Sequence, residues 1–161
     1  MQMAEACGPV GRLKGLAMIQ KATVKEMPVL VELACRLWPD NTVEEMTAEY
    51  ARIIAKPDAA CFLAYEDEIA VGFAQCQLRC DYVEGTESSP VGYLEGIYVA
   101  EAYRKGGIAR ALLSACECWA REKGCTEFAS DCELSNAQSF LFHLNVGFRE
   151  ANRIICFTKK L

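Results

Sequence analysis

The chain has 161 residues, 52% hydrophobic and 24% charged, proportions of one self-folding domain that exclude disordered, collagen-like and fibrous architectures. Seventeen Lys and Arg against 22 Asp and Glu leave a net charge of −5, the wrong sign for neutralising nucleic-acid phosphates and the right one for a cationic partner. Ten cysteines are too sparse for a disulfide scaffold, which leaves them as free thiols and small core hydrophobes in a reducing cytosol.

Residues 1–17 hold Gly8, Pro9, Gly11, Arg12, Lys14 and Gly15, which interrupt any signal-peptide core or membrane span. This segment is expected to be a mobile extension, with a single domain over 18–161 and a cytoplasmic location. Alternation from Met18 to Thr23 predicts a first strand. Thr23 with Glu26 has the form of a capping box, and Leu30, Leu33, Ala34 and Leu37 follow at helical spacing up to Trp38-Pro39. Thr42 with Glu45 repeats the signal for a second helix that stops before Pro57. Cys61 to Tyr65 and Ile69 to Leu78 read as a hairpin turning at Glu66-Asp67-Glu68, and Arg79 to Pro90 as a loop.

Val91 to Val99 predicts a strand, followed by a turn over Glu101 to Gly107. Ile108, Leu112, Ala115, Cys116 and Trp119 mark one face of a helix closed by Gly124. Cys125 to Asp131 then reads as a strand, Asn136 to Asn145 as a short helix and Arg153 to Lys159 as a final strand. The order β-α-α-β-β-β-α-β-α-β implies an α/β (α+β) fold, a mixed, mostly antiparallel sheet flanked by about four helices.

Chemistry concentrates in Arg104-Lys105-Gly106-Gly107-Ile108-Ala109, between a strong strand and a strong helix. A helix N-terminus leaves backbone N–H groups without partners and carries partial positive charge, so glycines that admit a ligand make an anion site for phosphate or pyrophosphate. The spacing is neither a Walker loop nor G-x-G-x-x-G. The plain alternative is a glycine turn with solvated basic residues. Metal chemistry is not expected, since there is no C-x-x-C and His143 is the single histidine.

R-x-x-G-x-A after a strand and opening a long helix resembles the acetyl-CoA motif of the GNAT superfamily of N-acetyltransferases. Asn136-Ala137-x-Ser139-x-x-x-His143-x-x-x-Gly147-Phe148 is similar to a second signature of that superfamily. The resemblance implies a GNAT fold and acetyl-CoA as cosubstrate. Arg104, Lys105, Gly106, Gly107, Ile108 and Ala109 would hold the pyrophosphate, the main chain of Ile97, Tyr98 and Val99 the pantetheine arm, and Asn136 and Ser139 a further stretch of the cofactor. His143 stands where many members carry a tyrosine that protonates the departing thiolate. The alternative is core filler or a helix-to-loop hydrogen bonder.

Within the superfamily, Leu37-Trp38-Pro39, Asp81-Tyr82-Val83-x-Gly85, Ser88-Ser89-Pro90, Leu94-Glu95-Gly96-Ile97-x-Val99 and Ala129-Ser130-Asp131 resemble the aminoglycoside 6'-N-acetyltransferases. The implied reaction is direct attack of a 6'-amine on acetyl-CoA in a ternary complex, conferring antibiotic resistance. Polycationic substrates call for carboxylates, with Asp81, Glu84, Glu95 and Asp131 as the candidates, Glu87 and Glu133 reading as solvated, and Trp38 and Tyr82 either as flat faces for sugar rings or as core or loop packing. Glu95 alternates with Tyr93, Ile97 and Val99 unless a bulge near Gly96 intervenes. It is the candidate base, its alternative a salt bridge within the sheet. The resemblance also implies a homodimer, with an exchanged or abutting C-terminal strand. The competing functions are acetylation of polyamines or protein N-termini and a silent acyl-CoA binder.

Overall fold

The computed structural model describes residues 17–161. Five strands, β1 (Met18–Lys21), β2 (Ala59–Glu66), β3 (Ile69–Arg79), β4 (Val91–Val99) and β5 (Phe128–Ser130), lie in the order β1-β2-β3-β4-β5. The first three pairings are antiparallel and β4–β5 is parallel, as the helical crossover between those two strands requires. Four helices complete the fold: α1 (Met27–Leu37), α2 (Val43–Ala55), α3 (Ile108–Glu122) and α4 (Ala137–Asn145).

Local chemistry explains the element boundaries. Both capping boxes are made, Thr42 opening α2 and Thr23 opening a short 3-10 turn that runs into α1 at Met27. Asp67 and Glu68 both adopt positive φ, 44° and 67°, the left-handed pair that a two-residue hairpin between β2 and β3 demands.

Alternate residues of the sheet feed two cores. Ala60, Phe62, Ala64, Ala74, Cys76, Leu94 and Val99 meet Leu112, Ala115, Cys116 and Trp119 of α3. On the other face Cys61, Leu63 and Phe73 meet Leu30, Leu33 and Ala34 of α1 and Met46, Tyr50 and Ile53 of α2. The expectation that cysteines serve as free thiols in the core holds for Cys61, Cys76, Cys116 and Cys125, whereas Cys80 and Cys156 are exposed and Cys118 is disulfide-bonded, which corrects the free-thiol expectation there. Burial pushes the Cys61 thiol up to about 12 and raises Cys116 as well, so these sulfurs act as packing atoms rather than nucleophiles.

Two expectations need correction, and a third lies outside the described residues but for one position. Among the described residues no strand follows α4: residues 151–161 are exposed and lack regular structure, because within one chain no strand lies beside Arg153 to Lys159 to complete a ladder. The strand expected over Cys125 to Asp131 shrinks to Phe128–Ser130, since its ladder ends at the Leu94–Ser130 pair, beside the point where β4 bulges. The N-terminal extension falls outside the described residues except for Ala17, which is buried in the α3-side core.

Candidate active site

The bulge sets the geometry of the site. On β3, Gln75 pairs with Gly96 and Cys76 with Leu94, leaving Glu95 as the extra residue. Two residues against one re-aim the side chains that follow. Ile97 and Val99 therefore join Leu94 on the α3 face, while Glu95 shares the opposite face with Tyr93 and Tyr98. This corrects the simple alternation that put Glu95 beside Ile97 and Val99.

Glu95 is not an isolated carboxylate. Its Oε1 accepts from Gln77 Nε2 at 2.6 Å, from Arg79 Nε at 3.1 Å and from Arg79 Nη2 at 2.9 Å, while Oε2, among the described residues, accepts only from Arg79 Nη2, at 2.9 Å. The in-sheet salt bridge is thus formed, and Oε2 keeps a lone pair free. The Arg79 guanidinium stacks 3.4 Å above the centre of the Tyr93 ring, and the Tyr93 hydroxyl donates to Asp131 Oδ1 at 2.6 Å. One network thus joins Glu95 to Asp131. Burial, then the bond to Asp131, push the Tyr93 hydroxyl well above its ordinary value, so it remains a donor.

Glu95 also borders a cleft of about 330 Å³ lined by Trp38, Asn41, Met46, Glu49, Tyr50, Gln75 and Glu95. Trp38 packs over Gly96, where a Cβ would lie 2.5 Å from the indole, so the flat ring depends on glycine at that position. Tyr50 donates to Gln75 Oε1 at 2.8 Å on the cleft wall. Sequence reading found Trp38 and Glu95 but missed Asn41, Glu49 and Gln75. Glu49 looks in sequence like any exposed helix carboxylate; only the packing of α2 against the sheet puts it on the cleft that Glu95 borders.

The other acidic candidates do not join this cleft's lining. Asp81 and Tyr82 are exposed on the β3–β4 loop, where Tyr82 donates to Glu84 Oε2 at 3.0 Å. Glu84 Oε1 accepts from Asn152 of the C-terminal segment, also at 3.0 Å. A residue that sequence reading passed over secures this loop: Glu127 Oε2 accepts the amides of Glu87 and Ser88 and the Ser88 hydroxyl. These bonds lower the Glu127 carboxyl below its ordinary range.

Beyond the Leu94–Ser130 pair β5 stops while β4 runs on to Val99, so the two strands open a fork. Ala100 N–H donates to Val71 O on β3, and strand alternation turns the N–H groups of Ile97 and Val99 the other way, into the fork. The Val99 carbonyl is taken by Arg104 Nε at 2.8 Å. That bond anchors Arg104 to the strand, while the loop amides remain for an anion.

Lys105 and Gly107 take positive φ, 66° and 83°. Gly107 is the N-cap of α3, a conformation that glycine adopts without strain. The first intrahelical bond is Ala111 N to Gly107 O, so the N–H groups of Gly107, Ile108, Ala109 and Arg110 face outward without helical acceptors. Lys105 and Gly106 extend the same exposed turn. The fork and this turn make a continuous track suited to an extended ligand with an anionic end.

Across the fork, Asn136 caps α4, its Oδ1 accepting from Ser139 N at 3.0 Å. His143 Nδ1 lies 2.7 Å from Ser139 O and 3.4 Å from Ser139 Oγ, and Nε2 lies 2.9 Å from Ser130 Oγ. Among the described residues there is no group of three or more His, Cys, Asp or Glu able to hold a metal, and no helix is long and apolar enough to cross a membrane.

Residues 27–148 match the Acetyltransferase (GNAT) family. A protein of Acinetobacter haemolyticus described as aminoglycoside N(6')-acetyltransferase type 1 is 39% identical over 143 residues, covering 89% of this chain and 98% of that protein. One of the same description from Stenotrophomonas maltophilia is 42% identical, covering 89% and 93%. Among solved structures, AAC(6')-Iy with the bisubstrate analogue CoA-S-monomethyl-acetylneamine superposes with a TM-score of 0.86 at 36% identity, covering 89% of this chain and 97% of that one.

Proposed function

The chain belongs to the GNAT acetyltransferase family, and from that premise we propose that it transfers the acetyl group of acetyl-CoA to the 6'-amine of aminoglycoside antibiotics, conferring resistance to them. The observation that carries this reading is the likeness, over 89% of the chain, to proteins described as acetylating that position. The acidic cleft beside the β4–β5 fork supports it independently of the names.

Each part of the site has work in such a reaction. The outward N–H groups from Lys105 to Ala109 receive the pyrophosphate, and the fork edge of Ile97, Tyr98 and Val99 receives the pantetheine arm. Asn136 serves that track indirectly, by capping the helix that carries Ser139 and His143. Glu49 and Glu95 supply opposing negative charge for ammonium groups, and Trp38 a flat wall for a sugar ring. The free lone pair of Glu95 Oε2 orients the reactive amine and takes its proton, directly or through one water. The amine then attacks the thioester carbonyl, whose developing oxyanion meets the Val99 N–H. Asp131, fixed by Tyr93, and Asp81, Tyr82 and Glu84 on the loop extend the acidic surface toward further amines.

A homodimer belongs to the same proposal. Ile154, Ile155 and Phe157 are exposed on one chain, and Arg153 to Lys159 keeps a strand's composition with no strand beside it among the described residues. A second copy completes the ladder with this segment, either abutting or exchanged. Sedimentation at micromolar concentration should show a dimer; a monomer would remove this part.

The test of the reaction is product identification. Incubation with acetyl-CoA and tobramycin, followed by mass spectrometry and NMR, should yield a single acetyl group on N6'. Acetylation at another amine would refute the regiochemistry, and acetylation of spermidine alone would move the activity to polyamines.

A further inference from the structure

His143 stands at the position where proton delivery to the departing thiolate is expected, yet neither of its ring nitrogens is free. Nδ1 lies 2.7 Å from the carbonyl oxygen of Ser139. A carbonyl can only accept, so Nδ1 carries a proton in every charge state of the ring. Nε2 lies 2.9 Å from Ser130 Oγ. The rings of Phe142 and Phe148 pack edge-on against the imidazole at centroid distances of 5.6 and 5.1 Å, which fixes its plane.

Ser130 is the atom group with a choice. Its Oγ sits 2.9 Å from His143 Nε2 and 3.2 Å from the Leu94 carbonyl, and Leu94–Ser130 is the last rung before the strands part. With the imidazole neutral, Nε2 accepts and the Ser130 hydroxyl donates to it. With the imidazole doubly protonated, Nε2 donates to Oγ and the hydroxyl hydrogen turns to Leu94 O or into the fork.

We infer that Ser130 is the catalytic acid of the reaction proposed above, and that His143 acts through it as a positioning residue and proton reservoir. The inference rests on that reading for the identity of the leaving group. As the new C–N bond is complete and the C–S bond breaks, the electron pair of that bond passes to sulfur. The Ser130 hydroxyl gives its proton to the sulfur and receives the Nε2 proton of the doubly protonated His143. The products are the free thiol and a neutral imidazole hydrogen-bonded to Ser130, and solvent returns the proton to the ring.

The experiment pairs kinetics with a spectroscopic signature that does not depend on turnover. His143 is the only histidine, so nitrogen-15 NMR of the full-length protein reports its ring without ambiguity. Ser130→Ala should shift the Nε2 resonance and leave Nδ1 hydrogen-bonded. It should also lower kcat by about 10²-fold with acetyl-CoA affinity unchanged, and Ser130→Thr, which keeps the hydroxyl, should restore most of the turnover. An unmoved Nε2 resonance, an unchanged kcat in Ser130→Ala, or a Ser130→Thr variant as slow as Ser130→Ala would each overturn the Ser130 link. Absence of any acetyl transfer by the wild type would instead overturn the function on which it rests.

Discussion

The two faces of the sheet are built from the same strands and end differently. The α3 face is apolar along the length of β4, with Leu94, Ile97 and Val99 all packed in one core. The α1–α2 face is apolar through Leu63 and Phe73 and then turns polar at Gln75, Gln77 and Glu95. The difference teaches where a fold of this kind stores function. Along β4, side chains buried from end to end only stabilise, whereas the face whose core stops short leaves polar side chains beside a cleft. The β4 bulge makes both possible, returning Ile97 and Val99 to the core while leaving Glu95 on the wet side.

Replacing residues on one face at a time should separate these roles. The largest effect is expected from Glu95→Gln, which removes the proton acceptor: kcat should fall by about 10²–10⁴-fold while acetyl-CoA affinity, measured by calorimetry, stays the same. Equal turnover across the pH range would remove Glu95 from catalysis. On the dry face, Leu112→Ala at a fully buried position should cost about 2–5 kcal/mol of stability in denaturant unfolding, with the relative rates on different amines unchanged in the folded fraction. A shift in substrate preference there would mean that the faces are not independent.

Gly96→Ala tests the boundary between them. Its Cβ would fall 2.5 and 2.7 Å from the Trp38 ring, so the indole must move, at about 1–3 kcal/mol. KM for the amine should rise more than kcat falls; an unchanged KM would deny Trp38 its place in the cleft.

The smallest effect concerns the loop clamp at Glu127. Its carboxyl is lowered by bonds from Ser88 and Glu87, so the clamp is intact above the ordinary carboxylate value of 4.5 and is lost as pH falls through the lowered one. Amide exchange at Glu87 and Ser88 should accelerate relative to unclamped loop amides on acidification. Glu127→Gln should show the fast behaviour already at neutral pH.

Periodicity and caps carried most of this architecture. Both Thr-x-x-Glu boxes, the hairpin at Asp67-Glu68 and the α3 stripe act within a few residues, so they are written locally in the chain. Glu95 could be singled out as a carboxylate in an apolar strand, but its partners could not: Gln77 and Arg79 lie on another strand, and only the bulged register brings them to it. Glu49 was silent for the same reason. The segment from Arg153 to Lys159 has a strand's composition, and composition does not provide a neighbour to pair with.

The central claim, that the polar end of the α1–α2 face delivers an acetyl acceptor to the fork, is tested most directly by free-thiol release from acetyl-CoA with two aminoglycosides that differ only in a 6'-amino or a 6'-hydroxyl group. The account predicts release with the 6'-amino compound alone. Equal release with both, or release with spermidine and with neither antibiotic, would contradict it.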